Sequence, residues 1–129
     1  MSTEESKHSP RFVQLVNEAK QEIKEIEIET VKERLAEGYD FILIDVREES
    51  EFEIDHITEA VHMSKGIIER DIEARCPGTN TELVLYCGGG YRSALCAHNL
   101  KRMGYKKVLS MAGGFRAWQQ AGYKTEHSS

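Results

Sequence analysis

The stretch "LVLYCGGGYRSALCAHNL", residues 83–100, joins an apolar run, a cysteine, three glycines and a segment of helical character. The four apolar residues before Cys87 predict a short strand that is buried on both faces. Apolar side chains recur at helical spacing after Arg92, so a helix should follow the glycines and end at Gly104. Its expected buried face consists of Cys96, Leu100 and Met103. Cys87 is therefore expected on the turn between a buried strand and a helix.

Other strands and helices alternate around this unit. "FILID" (41–45) and "KVLSM" (107–111) predict two more buried strands, "EIEIE" within 24–29 an edge strand, and "AVHMS" (60–64) a short strand. Helices are predicted from Pro10 with Ser9 as cap, from a capping box at Thr30 to Gly38, over "EESEFEIDHI", over 67–74 and over "FRAWQQAG". Apolar strands that alternate with helices imply an α/β fold whose mostly parallel sheet carries helices on both faces.

Length and charge narrow the functional classes. A chain of 129 residues fits one domain with a real core. A net charge of −5 argues against a nucleic-acid partner and against an anionic membrane surface, since both select a basic face. No apolar run is long enough to cross a bilayer. The first twelve residues lack the basic and apolar regions of a secretion signal.

Three cysteines occur, at positions 76, 87 and 96, and no pair has C-x-x-C spacing. An odd, unpaired set disfavours a disulfide framework and a tetrahedral zinc site. The five histidines are scattered, and none belongs to an H-E-x-x-H pattern, so no metal site is expected. Reduced cysteines are typical of the cytoplasm, which is the expected location.

The position of Cys87 favours chemistry. Ligands of parallel sheets lie beyond the carboxyl ends of the strands. The amides of a strand-to-helix turn and the positive end of the helix favour a thiolate there. Because the neighbouring glycines carry no apolar side chains, we expect little burial of the Cys87 sulfur, whereas Cys96 should be core filler. The alternative is that Cys87 is a small buried apolar residue before an ordinary glycine turn.

Three motifs occur in a characteristic order: "IDVREESEF", "CGGGYRS" and "GGFRAW". With them the chain resembles a single-domain rhodanese, a sulfurtransferase, over about residues 25–123. The resemblance implies an α/β fold with a central, mostly parallel five-stranded sheet. It also implies that Cys87 carries sulfane sulfur as a persulfide. One departure is Glu59, which stands where the family usually has glycine.

The resemblance divides the chain and assigns roles. We expect residues 1–24 to form an N-terminal tail and short helix, 25–123 the rhodanese-like domain, and 124–129 a C-terminal tail. Cys87 is the expected catalytic residue, and Asp45 and Arg47 are expected to brace the loop. The expected substrate-binding residues are Gly88, Gly89, Gly90, Tyr91, Arg92 and Ser93.

The mechanism that follows is double displacement. The Cys87 thiolate takes sulfur from thiosulfate or a polysulfide, and a thiol or cyanide then accepts it. The loop amides and Arg92 are expected to stabilise the anionic donor, and no metal or organic cofactor is required. Arg92 could instead be a solvated residue of the first helical turn.

Two other functions remain open. A non-catalytic module could bind a partner or sense sulfide without turnover. A phosphatase or arsenate reductase would also use a cysteine in an anion-binding loop with arginine. Those enzymes place five residues between cysteine and arginine, whereas only four separate Cys87 from Arg92, and no general acid is evident.

Overall fold

The computed structural model describes residues 8–128, so the polar tail expected at the N-terminus lies almost wholly outside the described residues. The helices are α1 (Pro10–Glu22), α2 (Ile28–Glu37), α3 (Glu49–Ile54), α4 (Ile68–Arg75), α5 (Tyr91–Arg102) and α6 (Gly114–Gln120). The strands are β1 (Lys24–Ile26), β2 (Ile42–Asp45), β3 (His56–Ile57), β4 (Val61–His62), β5 (Leu83–Tyr86), β6 (Val108–Met111) and β7 (Thr125–Glu126). Within residues 8–128, no helix has the length and apolar character needed to cross a bilayer.

The main sheet has five strands in the order β1-β6-β5-β2-β4, and every pair is parallel. The predicted α/β class and five-stranded sheet are therefore confirmed. β5 lies in the centre, and Cys87 directly follows its carboxyl end. β1 is an edge strand, as the alternating sequence predicted. β3 and β7 form a separate antiparallel pair.

Two apolar cores cover the faces of the sheet. Leu83 and Leu85 of β5 pack in one core with residues of α4 and α5. Val84 and Tyr86 point the other way and pack with residues of α2 and α6. All four side chains are fully buried, because successive residues of a strand face opposite sides. Burial on both faces explains why the strand has no residue of the charged or strongly polar kind that a solvent-exposed face would carry.

The boundary between β1 and α2 differs from the sequence prediction. The strand stops at Ile26, and the helix begins at Ile28 with Glu27 as N-cap, so the capping box expected at Thr30 is wrong. Ile28 and Val31 are buried at helical spacing, and their burial sets the start of the helix. The predicted stop at Gly38 is confirmed by a left-handed C-cap with φ of +70°.

Two further details of the helices differ from expectation. Ser9 precedes Pro10 as predicted, but its side chain makes no capping hydrogen bond. Met103 is 37% exposed and does not belong to the buried face of α5. The chain turns after Arg102, and the Tyr105 N–H bonds the carbonyl of Leu100 at 3.1 Å. Tyr105 is 2% exposed and fills the core in place of Met103.

Glu59 adopts the backbone conformation that glycine prefers. Its φ is +78°, in a turn closed by the Ala60 N–H and the carbonyl of Ile57 at 3.0 Å. Among residues 8–128 it is the only non-glycine residue with positive φ. The turn requires positive φ, which explains why the family usually has glycine at this position. This chain keeps the turn with glutamate, at the cost of backbone strain.

Strand β7 lies within the segment expected to be a C-terminal tail. It pairs with β3, and the N–H of Ser128 bonds the carbonyl of Glu53 at 3.1 Å. The Thr125 hydroxyl donates to Asp55 at 3.0 Å. These contacts connect the C-terminal segment to α3 and the residue that follows it.

A buried ion pair braces the sheet beyond the end of β2. The Arg47 guanidinium donates to both oxygens of Asp45 at 2.8–3.1 Å and to the carbonyl of Asp55 at 2.6 Å. It also lies over the Phe115 ring, 4.2 Å from its centre. Asp45 is fully buried and Arg47 is 5% exposed. The pair thus ties β2 to α3 and α6.

Replacing Asp45 with alanine should destabilise the fold strongly. The substitution leaves the buried Arg47 charge without its partner, at a cost of about 3–5 kcal/mol in the free energy of unfolding. Urea denaturation measures this loss. The matched control is Asp71→Ala, because Asp71 pairs with Arg70 through similar hydrogen bonds on the exposed surface of α4. That control should leave the midpoint nearly unchanged, and equal losses in both variants would contradict the assigned role.

Candidate active site

The sulfur of Cys87 lies within the turn that starts α5. The backbone N–H groups of Gly90 and Ser93 point at it, with N–S distances of 3.1 and 3.4 Å. Gly90 is the N-cap of α5 and has φ of +94°, a left-handed conformation that glycine adopts without strain. The strand, turn and helix predicted around Cys87 are therefore present, and backbone donors converge on the sulfur as in an anion-binding nest.

Cys87 is more deeply buried than the sequence analysis expected. The residue is only 1% exposed, so the expectation of little burial is wrong. The first turn of α6 packs against this turn, through N–H groups that bond the carbonyls of Cys87 and Gly88. The Ser93 hydroxyl lies 3.5 Å from the sulfur and 2.8 Å from the hydroxyl of Ser110 on β6, which ties the turn to the neighbouring strand.

The other two cysteines are also free thiols in buried positions. Cys96 is fully buried on α5, as predicted for core filler. Burial raises the pKa of the Cys96 thiol to about 12, so it stays protonated at neutral pH. Cys76 donates weakly to the carbonyl of Gly78 at 3.5 Å and lies in the apolar core. Of the three sulfurs, that of Cys87 accepts the backbone N–H bonds described above.

The first turn of α6 holds the cysteine turn in place. The N–H of Phe115 bonds the carbonyl of Cys87 at 2.8 Å, and the N–H of Arg116 bonds the carbonyl of Gly88 at 3.0 Å. Gly114 makes this approach feasible, since a Cβ there would lie 2.6 Å from the Cys87 carbonyl oxygen. Its φ of +59° also favours glycine. The second glycine of the "GGFRAW" motif is thus explained by close contact between two backbones.

A surface cavity of about 360 Å³ lies next to Cys87. It is lined by His8, Phe12, Glu51, Cys87, Gly88, Gly89, Tyr91, Arg92 and Arg116. Five residues predicted for the site, 87, 88, 89, 91 and 92, therefore line one cavity. The other two members of the predicted loop, Gly90 and Ser93, lie beside the sulfur and donate to it through their backbone.

Arg92 lines the cavity and is bound to a carboxylate that the sequence analysis did not single out. Its guanidinium donates to Glu51 of α3 at 2.9 and 3.4 Å. Hydrogen bonding from Arg92 lowers the pKa of the Glu51 carboxyl, so it is ionised at neutral pH. Both side chains are about one third exposed, at 31% and 38%, and solvent weakens their attraction. The cavity therefore holds both a cation and its counter-charge.

Asp45 and Arg47 do not line the cavity. Arg47 contacts the ring of Phe115, and the backbone N–H of Phe115 bonds the carbonyl of Cys87. The Asp45–Arg47 pair therefore stabilises the cysteine turn indirectly, through α6. His56 is buried, stacks on Phe52 with ring centres 3.7 Å apart, and bonds the Phe52 carbonyl at 2.9 Å. In the part of the chain that the structure describes, no three His, Cys, Asp or Glu side chains are grouped as metal ligands.

Four cavity residues were missed by the sequence analysis: His8, Phe12, Glu51 and Arg116. Glu51 and Arg116 stand inside the quoted motifs, so their position there was an available signal. Phe12 lies in the helix predicted from Pro10, on the face that carries the buried Val16 and Ala19. No local pattern reveals that this face meets a turn far along the chain.

A sequence model described as the Rhodanese-like domain matches residues 27–121. The chain belongs to the rhodanese-like family. Thiosulfate sulfurtransferase GlpE of Coxiella burnetii is 32% identical over 91 residues, which are 70% of this chain and 78% of that protein. A longer relative from Bacillus subtilis is 34% identical over 96 residues, and the chain spans only 51% of its length.

Two solved structures are similar to this chain over most of its length. The polysulfide-sulfur transferase homodimer of Wolinella succinogenes has a TM-score of 0.77 and 25% identity, covering 92% of this chain and 89% of that one. A Rhodopseudomonas palustris protein of unknown function, described as a possible tyrosine phosphatase, has a TM-score of 0.79 and 28% identity, covering 89% and 93%. Together, the named sulfurtransferases support a rhodanese-type sulfurtransferase at low identity.

Gly114→Ala should disrupt the contact between α6 and the cysteine turn. The added methyl group meets carbonyl oxygens of Cys87 and Gly88 at 2.6 and 2.7 Å, so the helix must shift. A shift of the order of 1 Å at a reacting group costs on the order of a hundredfold in rate. Sulfur transfer to cyanide, measured alongside the urea midpoint, tests this effect.

The control is Gly122→Ala. Gly122 also has positive φ, +76°, but a Cβ there meets nothing within 4 Å. That variant should lose roughly 1–2 kcal/mol of stability from backbone strain and keep its activity per folded molecule. Unchanged activity in folded Gly114→Ala protein would mean that α6 does not position the turn.

Glu51→Gln should lower KM for an anionic sulfur donor by roughly threefold, since it removes a negative charge from the cavity while Arg92 remains. Steady-state kinetics with thiosulfate at several salt concentrations measure the effect, which should shrink as salt rises. Glu53→Gln on the same helix is the control, because Glu53 is exposed and does not line the cavity. A raised KM in Glu51→Gln would instead mean that the ion pair orients Arg92 for binding.

Proposed function

We propose that this rhodanese-like protein moves sulfane sulfur from thiosulfate or a polysulfide to a thiophilic acceptor through a persulfide on Cys87. The supporting observation is the environment of Cys87. This residue lines a cavity, and its sulfur accepts the N–H groups of Gly90 and Ser93 at 3.1 and 3.4 Å. Amide donors stabilise a thiolate and then a persulfide anion, because both carry negative charge on sulfur.

The first step is attack of the thiolate on the outer sulfur of the donor. With thiosulfate, the new S–S bond forms as the S–S bond of the donor breaks, and sulfite leaves with the electron pair. With a polysulfide, the leaving group is the polysulfide shortened by one sulfur. Arg92 lines the cavity, and in this proposal it supplies positive charge for these anions. Gly88 and Gly89 also line it and leave space for the outer sulfur.

The second step returns the enzyme to its starting state. A nucleophilic acceptor, cyanide or a thiolate, attacks the outer sulfur of the persulfide, and the Cys87 thiolate leaves. Cyanide becomes thiocyanate, and a thiolate becomes a new persulfide anion. Both steps exchange one bond to sulfur for another, so atoms and electrons balance without an added metal or organic cofactor. The cytoplasmic location expected from the cysteines stays a prediction.

The phosphatase alternative gains one observation, the similarity to a structure described as a possible tyrosine phosphatase. The site offers it little support. Glu51 is the one carboxylate among the described residues that line the cavity, and Arg92 lowers its pKa, so it is ionised when a general acid is needed. The four-residue interval between Cys87 and Arg92 also remains shorter than that of phosphatases.

Cys87 should gain the mass of one sulfur atom when the reduced protein is mixed with thiosulfate or polysulfide, and cyanide should remove it. Intact mass spectrometry with peptide mapping measures both events. Cys87→Ser should abolish the gain and lower sulfur transfer to cyanide to background. Cys96→Ser is the matched control, because Cys96 is buried with a pKa of about 12 and should not carry sulfur.

The outcomes separate the three functions. Sulfur on Cys87 without turnover to cyanide or thiols favours the binding module. Hydrolysis of an aryl phosphate that depends on Cys87, with no gain of sulfur, favours the phosphatase. Gain of sulfur on Cys76 or Cys96 would refute the proposed role of Cys87.

A further inference from the structure

Three rings form one side of the cavity above Cys87. His8 and Tyr91 have ring centres 4.4 Å apart, Phe12 and Tyr91 are stacked at 6.0 Å, and His8 and Phe12 are 5.4 Å apart. All three residues are partly exposed and line the cavity. We call these three residues the aromatic wall. It places apolar ring surface within the same cavity as the sulfur.

The packing of α1 against α5 fixes Phe12 and Tyr91 of this wall. Val16 and Ala19 are buried, and the helix packs along α5, which begins with Tyr91. The ammonium of Lys20 lies 5.4 Å from the centre of the Tyr91 ring. These contacts hold ring surface at the cavity, where it can bind a ligand without first being ordered.

Two members of the wall come from outside the matched family region. His8 and Phe12 precede residue 27, where the match to the rhodanese-like domain begins. The cavity therefore combines a cysteine turn from the domain with ring surface from the preceding segment. This combination makes the wall a feature in which this chain can differ from domains that have only the matched region.

Ring surface has little to offer a small, strongly hydrated inorganic anion. Thiosulfate binds through charge and hydrogen bonds, which Arg92 and the turn supply. An apolar or aromatic group of a ligand binds more favourably there, because its contact with the rings removes apolar surface from water. The cavity volume of about 360 Å³ lies in the range of small-molecule sites and exceeds what one thiosulfate needs.

Resting on the function proposed above, we propose that the aromatic wall determines specificity. It selects organic sulfur compounds that join an anionic sulfur group to an aromatic or apolar body. Phe12 is the key residue, because it comes from α1 and stacks on Tyr91 in the lining of the cavity. A thiosulfonate represents this class. The Cys87 thiolate attacks its terminal sulfur, the S–S bond breaks, and the sulfinate leaves with the electron pair.

The test compares benzenethiosulfonate with methanethiosulfonate, which share the reacting group and differ in the body. The wild-type protein should have the higher kcat/KM for the aromatic donor. Phe12→Ala should lower the ratio of the two kcat/KM values on the order of tenfold. Leu15→Ala is the matched control, because Leu15 lies on α1, is 53% exposed and does not line this cavity. It should leave the ratio unchanged.

A binding measurement separates this inference from the proposed reaction. Benzenesulfonate and methanesulfonate carry no transferable sulfur, so calorimetric titration reports recognition alone. Tighter binding of benzenesulfonate that is lost in Phe12→Ala supports the aromatic wall even if no sulfur reaches Cys87, an outcome that would refute only the sulfur-transfer proposal. If Cys87 does gain sulfur but Phe12→Ala leaves both the kinetic ratio and the binding preference unchanged, the inference is overturned and the sulfur transfer stands.

Discussion

The structure of the site depends on the close approach of two backbones. The first turn of α6 donates its N–H groups to the carbonyls of Cys87 and Gly88, at a distance that permits only glycine at position 114. With those carbonyls held, the turn presents its own N–H groups to the sulfur on the other side. The parallel sheet makes this feasible, because β5 and β6 are neighbours and end at the same edge. The same few hydrogen bonds thus dock α6 on the cysteine turn and hold that turn in the shape that binds an anion.

The sequence was most informative where burial is complete. The residues of β5 are buried on both faces, so the strand had to be apolar throughout, and its position was predictable. The turn was equally clear, since glycine is costly unless the backbone needs it, and Gly90 does need it. Boundaries were less predictable. Ile26 and Ile28 fit both a strand and a helix, and only packing against the sheet decides between them.

The features that the sequence left open arise from contacts between distant segments. Cys87 is buried because α6 covers its turn, and the residues around the cysteine do not encode that cover. Arg92 binds Glu51 because α3 lies across the cavity. Neither motif alone shows this contact, so the direction of the arginine side chain could not be predicted from the sequence. The turn at Glu59 is the converse case, since tertiary structure imposes a conformation that the local sequence resists.

One peripheral segment lines the cavity, and another is bonded to the helix that carries one of the lining residues. α1 contributes Phe12 to the lining of the cavity. β7 pairs with β3, and Ser128 after it donates to a carbonyl of α3, the helix that carries Glu51. The folding of α1 onto the domain and the binding of a ligand in the cavity are therefore thermodynamically linked. A ligand that contacts α1 must raise the protection of that helix against local unfolding by the same free energy that the ordered helix adds to binding. Changes far from the cysteine can thus set the affinity of the site without altering any group that reacts.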